Sequence, residues 1–161
     1  MSKKITNKEI IKNLTSIKNI IIYIIAFMIS TIGMGQEVSP FSIAIVAASL
    51  AGGVPAIMVV IAGLIGNIVG VGTIGVLNYI LIILILLILM CIKPPKENDQ
   101  YKNEQIQIAG HVFLSVFLVM VAKLILTRFT MGDLLLHITL ALFSVVFYKI
   151  FVNSLIVIQD I

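Results

Sequence analysis

Along the chain, long apolar runs alternate with short polar or glycine–proline breaks. Near the start, Ile10, Leu14, Ile17 and Ile21 fall on one helical face, and Lys8 and Lys12 fall on another. Thr6 followed by Glu9 has the spacing of a capping box, so residues 3–19 are expected to form an amphipathic helix lying in the membrane interface. An apolar span covers Ile17 to Met34. No small-x-small cleavage site follows it and much more apolar sequence comes after, so it reads as an uncleaved span rather than a signal peptide. Gly35 to Pro40 is a break, and Pro40 suits the first turn of a new helix. A second helix is predicted over Pro40–Ala51, short of the roughly 20 residues a full crossing needs. Gly52, Gly53 and Pro55 end it, and a third helix covers Pro55–Val69. Gly70–Gly75 reads as a turn, Val76–Ile92 as a fourth and most hydrophobic span. Lys93–Gln105, with Pro94 and Pro95, reads as a polar linker outside the membrane. A fifth span over Ile106–Thr127, a turn at Arg128–Asp133 and a sixth span over Leu134–Ile158 complete the pattern.

The predicted fold is therefore all-α, a polytopic transmembrane helix bundle of about six membrane helices plus an N-terminal amphipathic helix. It divides into a cytoplasmic basic segment (1–19), helices 1–4 (20–92), a cytoplasmic loop (93–105) and helices 5–6 (106–161). Composition agrees. Of the 161 residues 60% are hydrophobic and only 11% charged, against about 25% charged in ordinary soluble domains. That is too little charge to clothe a soluble fold of this size, whereas lipid needs no polar skin.

Charge placement sets the orientation. Lys3, Lys4, Lys8, Lys12 and Lys18 cluster at the start, and Lys93, Lys96 and Lys102 occupy the internal polar segment. Arg128 and Lys123 fall at the other ends of the spans. Eight cations against two place both termini in the cytoplasm of a bacterial membrane. Basic residues that flank apolar runs are topology signals, so nucleic acid is not an expected partner. The chain has one cysteine, Cys91, so no internal disulfide forms; it has no Trp.

Candidate chemistry is sparse. Ala44, Ala48 and Gly52 recur every fourth position on the second helix, and Ala62, Gly66 and Gly70 on the third. Such ladders allow close helix approach in lipid, and a tight hairpin between those two helices is expected. Gly66–Gly72 is glycine-rich but lacks the lysine and strand context of a phosphate loop. His111 and His137 are expected near opposite ends of the bundle and so are not expected to share a metal ion. Glu37, Lys123, Asp133 and Lys149 lie near membrane depth, where charge is costly. Glu37 is placed to cap the second helix, and the lysines to snorkel. Of the remaining acids, Glu97, Asp99 and Glu104 fall together in the polar linker. No acid pair, Ser/His/Asp set or Cys/His cluster is evident, so no catalytic residue, metal ligand or cofactor is assigned and the chain is not expected to be an enzyme.

Glu37-Val38-Ser39-Pro40-Phe41-Ser42-Ile43-Ala44, after a first span and before a small-residue helix, resembles the N-terminal membrane region of stage II sporulation protein E of endospore-forming bacteria. Tyr148-Lys149-Ile150-Phe151-Val152-Asn153-Ser154-Leu155 resembles the sixth span of that family. The likeness runs from about Ile20 to the end of the chain. It implies a membrane-anchoring and assembly module in sporulation and asymmetric division, self-association or contact with other membrane helices, and engagement with the cell-division ring. In that family further spans, a regulatory segment and a metal-dependent serine/threonine phosphatase domain follow. The aspartate metal ligands of that domain have no counterpart here, so the chain is expected to be a fragment, a split-gene product or a stand-alone relative. The rival expectation is a small six-helix transporter component, such as the substrate-binding subunit of a vitamin importer. The turns at 70–75 and 128–133 are poor in the polar and aromatic groups such a subunit needs.

Overall fold

A computed structural model describes residues 7–33, 38–52, 54–91, 100–126 and 130–160. Seven helices make up the regular structure of the described residues: α1 (Asn7–Leu14), α2 (Ile17–Ser30), α3 (Pro40–Gly52), α4 (Ala56–Gly70), α5 (Thr73–Met90), α6 (Gln100–Leu126) and α7 (Met131–Asp160). The all-α bundle expected from the sequence is thus present. Thr6, Glu37, Lys93, Lys96, Glu97, Asp99 and Arg128 lie outside the described residues.

Of the six or so membrane helices expected, six full spans are not supported. Three stretches are long and apolar enough to cross a bilayer: Thr73–Met90, Glu104–Leu126 and Met131–Leu155. The other apolar helices, α2, α3 and α4, have 14, 13 and 15 residues. At about 1.5 Å per residue each is some 20 Å long, short of a hydrocarbon core about 30 Å thick.

Several boundaries also differ from the sequence reading, each for a local reason. The single amphipathic helix over 3–19 is divided at Thr15–Ser16. Thr15 Oγ1 donates to the Ile11 carbonyl (2.8 Å), and Ser16 takes an extended ψ of 135° before α2 begins. The turn over 70–75 shrinks to Val71–Gly72. There the Asn67 carbonyl accepts from both Val71 N (2.9 Å) and Gly72 N (3.1 Å), and Gly72 reverses the chain at φ +83°. The linker over 93–105 ends early, because α6 already begins at Gln100. Residues 100–105 contain no Gly or Pro to stop a helix, only polarity. At α7, Thr130 N and Oγ1 both donate to Asp133 Oδ2 (2.9 and 2.6 Å), while Asp133 N donates back to Thr130 Oγ1 (3.2 Å). This reciprocal cap starts the helix inside the predicted turn.

α3 is the axis of the bundle. Pro40 and every residue from Ser42 to Ser49 are buried, and α2, α4, α5, α6 and α7 all touch the helix, α7 most extensively. A helix that is apolar all round and enclosed has no lipid face to mark it. α5, α6 and α7 are the opposite case. Their candidate spans are only 33%, 39% and 33% buried. Leu77, Leu84 and Ile88 on α5, Leu114 and Phe117 on α6, and Leu135, Leu142 and Val146 on α7 are exposed. An apolar surface that broad suits hydrocarbon and not water; this is a membrane protein.

The expected hairpin between the small-residue faces of α3 and α4 is replaced by a different pairing. A Cβ at Gly66 would lie 2.5 Å from the Phe27 carbonyl oxygen and 2.6 Å from Ser30 Cβ, and one at Gly70 would strike Thr31. The glycines of α4 therefore seat the backbone of α2. A Cβ at Gly52 of α3 would instead lie 3.9 Å from Leu155 of α7, and Phe41 packs on Phe147 with ring centroids 4.4 Å apart. Both patterns have a parallel sense: 27 and 31 pair with 66 and 70, and 41 and 52 pair with 147 and 155. Ser39, at the start of α3, meets Ile29 near the end of α2 and Asn67 near the end of α4. Tyr79 of α5 reaches back to Val60 on α4, and Lys123 of α6 meets His137 of α7. The six apolar helices therefore alternate in direction, and Ile17 and Asp160 fall at the same end.

Candidate functional site

Five polar side chains from four helices or their approaches converge where α2 ends and α3 begins. Asn67, Ser30, Ser39 and Ser42 are each 0% exposed and Tyr79 is 1% exposed. Asn67 stands alone among apolar residues in the last turn of α4, buried where an amide must find partners within the protein. It finds three. Asn67 Oδ1 accepts from Ser39 N (3.3 Å), and Nδ2 donates to Ser42 Oγ (3.2 Å) and to the Gly63 carbonyl one turn back (2.8 Å). Ser39 Oγ donates to the Ile29 carbonyl (2.9 Å), and Ser42 Oγ donates to the Ser39 carbonyl (2.7 Å).

These bonds follow from the local sequence. Pro40 opens α3 and has no N–H, which leaves the Ser39 amide as a donor just ahead of the helix. A buried donor at a helix start needs an acceptor, and Asn67 supplies it. Tyr79 Oη donates to the Val60 carbonyl (3.1 Å), and the missing side chain of Gly63 leaves room for the phenol. Ser30 Oγ, on the same side, has no hydrogen-bond partner. The cluster holds no charge, no nucleophile beside a base and no paired carboxylates. Its chemistry is that of a lock that joins α2, α3 and α4 through neutral hydrogen bonds.

A second polar group lies at the same end of the bundle, between α6 and α7. His137 Nδ1 is 2.8 Å from the Asp133 carbonyl, which only accepts, so Nδ1 carries the proton. Nε2 then presents its lone pair to the Lys123 ammonium at 3.4 Å. His137 is 4% exposed. The imidazole thus ties the lysine of one helix to the next.

The sequence candidates distribute as follows. Lys123, Asp133 and His137, treated separately in the sequence, come together here. His111 lies 12 residues earlier on α6 than Lys123, about 18 Å along the helix axis; its Nδ1 is buried without a hydrogen-bond partner. Lys149 is exposed on α7, six residues before the end of the candidate span at Leu155, within reach of the interface. Gly66 and Gly70 are inside the continuous helix α4, so the glycine-rich stretch forms no phosphate loop up to Val71. No three His, Cys, Asp or Glu side chains among the described residues group together. Sequence reasoning missed Asn67, Ser39, Ser42 and Tyr79 as a unit. The available signal was one amide in the apolar run Val59–Val69, a position that demands partners in lipid.

Comparisons of the chain with family models, with curated proteins and with solved structures return no match.

Proposed function

We propose that the chain is a membrane-anchoring and assembly module of the kind found at the N-terminal membrane region of stage II sporulation protein E. It acts in sporulation and asymmetric division, and it is multi-pass in a bacterial cytoplasmic membrane with both termini cytoplasmic. The observation that carries this reading is the place of the resembling segment. Val38, Ser39, Pro40, Ser42, Ile43 and Ala44 are all buried at the point where three helices are locked together. Side chains so enclosed act on how the bundle assembles and not on a solute at the surface. The alternating helix directions, with Ile17 and Asp160 at one end, support termini on a common side, and the lysine bias supports the cytoplasm as that side. The neutral character of the polar cluster supports a role in packing and contact over catalysis.

The test is localisation. A fluorescent fusion, expressed in an endospore-forming bacterium during sporulation, should concentrate at the polar septum and crosslink to division-ring components. Uniform membrane distribution, with uptake of a vitamin that depends on a co-expressed ATPase, would overturn the assembly reading in favour of transport.

A further inference from the structure

We infer that α1 is a docking element for anionic phospholipid headgroups, held against the leaflet by an elbow at Thr15–Ser16. The inference rests on the membrane placement of the bundle and not on the assembly role. Three observations combine.

The first is the elbow. The Asn19 carboxamide, 7% exposed at the start of α2, turns back to α1 and donates to the Asn13 carbonyl (2.7 Å) and to Asn13 Oδ1 (3.1 Å). Ser16 N donates to the same Asn13 carbonyl (3.3 Å), and Thr15 bonds the Ile11 carbonyl through both N (3.0 Å) and Oγ1 (2.8 Å). The Ile11 and Asn13 carbonyls in the last turn of α1 are therefore satisfied inside the bend, where the helix stops.

The second is what α1 touches. Its packing is chiefly against α2, and slight. Ile11 is 59% exposed and, just past the bend, Ile17 is 77% exposed. Ile20, Ile21, Ile24 and Ile25 continue the exposed apolar surface along α2. By helical spacing Ile11 and Leu14 share one side of α1.

The third is charge. Lys3, Lys4, Lys8, Lys12 and Lys18 face a single acid, Glu9, in the first 18 residues. Lys12 is exposed. The complement to a lysine-rich segment whose described lysines, Lys12 and Lys18, are exposed next to the exposed Ile11 and Ile17 is an anionic headgroup above an acyl chain. Each lysine near such a surface adds to the attraction. An elbow fixed by hydrogen bonds keeps that attraction from being spent on ordering a loose tail.

The chain has no Trp, so Ile11→Trp provides a lone fluorophore on α1. The full chain is reconstituted in phosphatidylcholine vesicles that contain a minor fraction of either brominated phosphatidylglycerol or brominated phosphatidylcholine. Docking predicts at least about twofold stronger quenching by the anionic lipid. The difference should disappear in molar salt, where the screening length falls to about 3 Å, and should weaken in Lys8→Gln/Lys12→Gln. Leu142→Trp, exposed on α7, serves as the second reporter and should be quenched equally by both lipids. The inference is overturned by equal quenching at position 11. It is overturned equally by the same anionic preference at position 142, which would assign the enrichment to the whole bundle. Shielding of position 11 from both lipids would transfer the lysines to a soluble acidic partner and also reject it.

Discussion

At the scale of single residues, Asn67 carries the most consequence. Its carboxamide makes three hydrogen bonds in a water-free core, and two of its partners, Ser39 N and Ser42, belong to another helix. Asn67→Ala removes one acceptor and two donors at once and leaves the Ser39 amide buried without a partner. Such a loss costs about 1–3 kcal/mol, more than the average of about 0.6 for a single side-chain bond in a membrane bundle. Thermal unfolding in detergent should show a clear drop in midpoint for Asn67→Ala. Asn153→Ala, at an exposed amide on α7, should leave the midpoint in place. Equal midpoints for the two variants would mean that the amide cluster is not a lock. Asn67 is visible in the sequence as an isolated amide, but its partners are not. Ser39 and Ser42 are 28 and 25 residues away, across a reversal of the chain. Helical spacing reports which residues share a face and says nothing of which face meets it.

At the scale of elements, the contact of α2 with α4 shows the same limit. The recurrence of Gly66 and Gly70 marks a face built for close approach, and the structure uses it so. The partner differs from the expected one because the neighbour in sequence is not the neighbour in space. α3, the helix between, is drawn to the axis and leaves α2 and α4 to meet side by side. A methyl group at Gly66 has no room: the Phe27 carbonyl and Ser30 Cβ are backbone or backbone-proximal and cannot swing aside. Gly66→Ala should therefore destabilise the bundle by about 1–3 kcal/mol through overpacking, although alanine is the better helix former. A methyl group added at Gly110 on α6 would meet nothing within 4 Å, so Gly110→Ala should be neutral or stabilising by up to about 1 kcal/mol. Denaturant titration of both variants checks the pair. A Gly66→Ala variant as stable as Gly110→Ala would refute the α2–α4 contact.

At the scale of the whole molecule, alternating helix direction makes a claim about sidedness. With Cys91 changed to Ser, single cysteines at two exposed positions, Thr73 at the start of α5 and Glu104 near the start of α6, should react with a membrane-impermeant maleimide from opposite sides of the cell membrane. Reaction of both from outside would exclude the alternation. Helical class, lipid solvation and the number of apolar helices are legible in the sequence because each depends on composition and periodicity. Complete crossing is not, because it depends on length alone. The shortness of α3 is marked in the sequence by Pro40 and Gly52, whereas the end of α2 at Ser30–Thr31, four residues before Met34, is a local feature that the spacing of apolar residues does not register.

The burial of α3 against α7 bears on how the protein is made. A ribosome delivers α3 to the membrane while the chain beyond it, including the helix that covers it most, is still untranslated. For that interval its serines and a run of alanines face whatever the insertion machinery offers, on a segment some 10 Å too short to bridge the hydrocarbon unaided. Only α7, four helices further along the chain, completes the enclosure, so a nascent chain stalled before residue 131 holds its central helix without its principal cover.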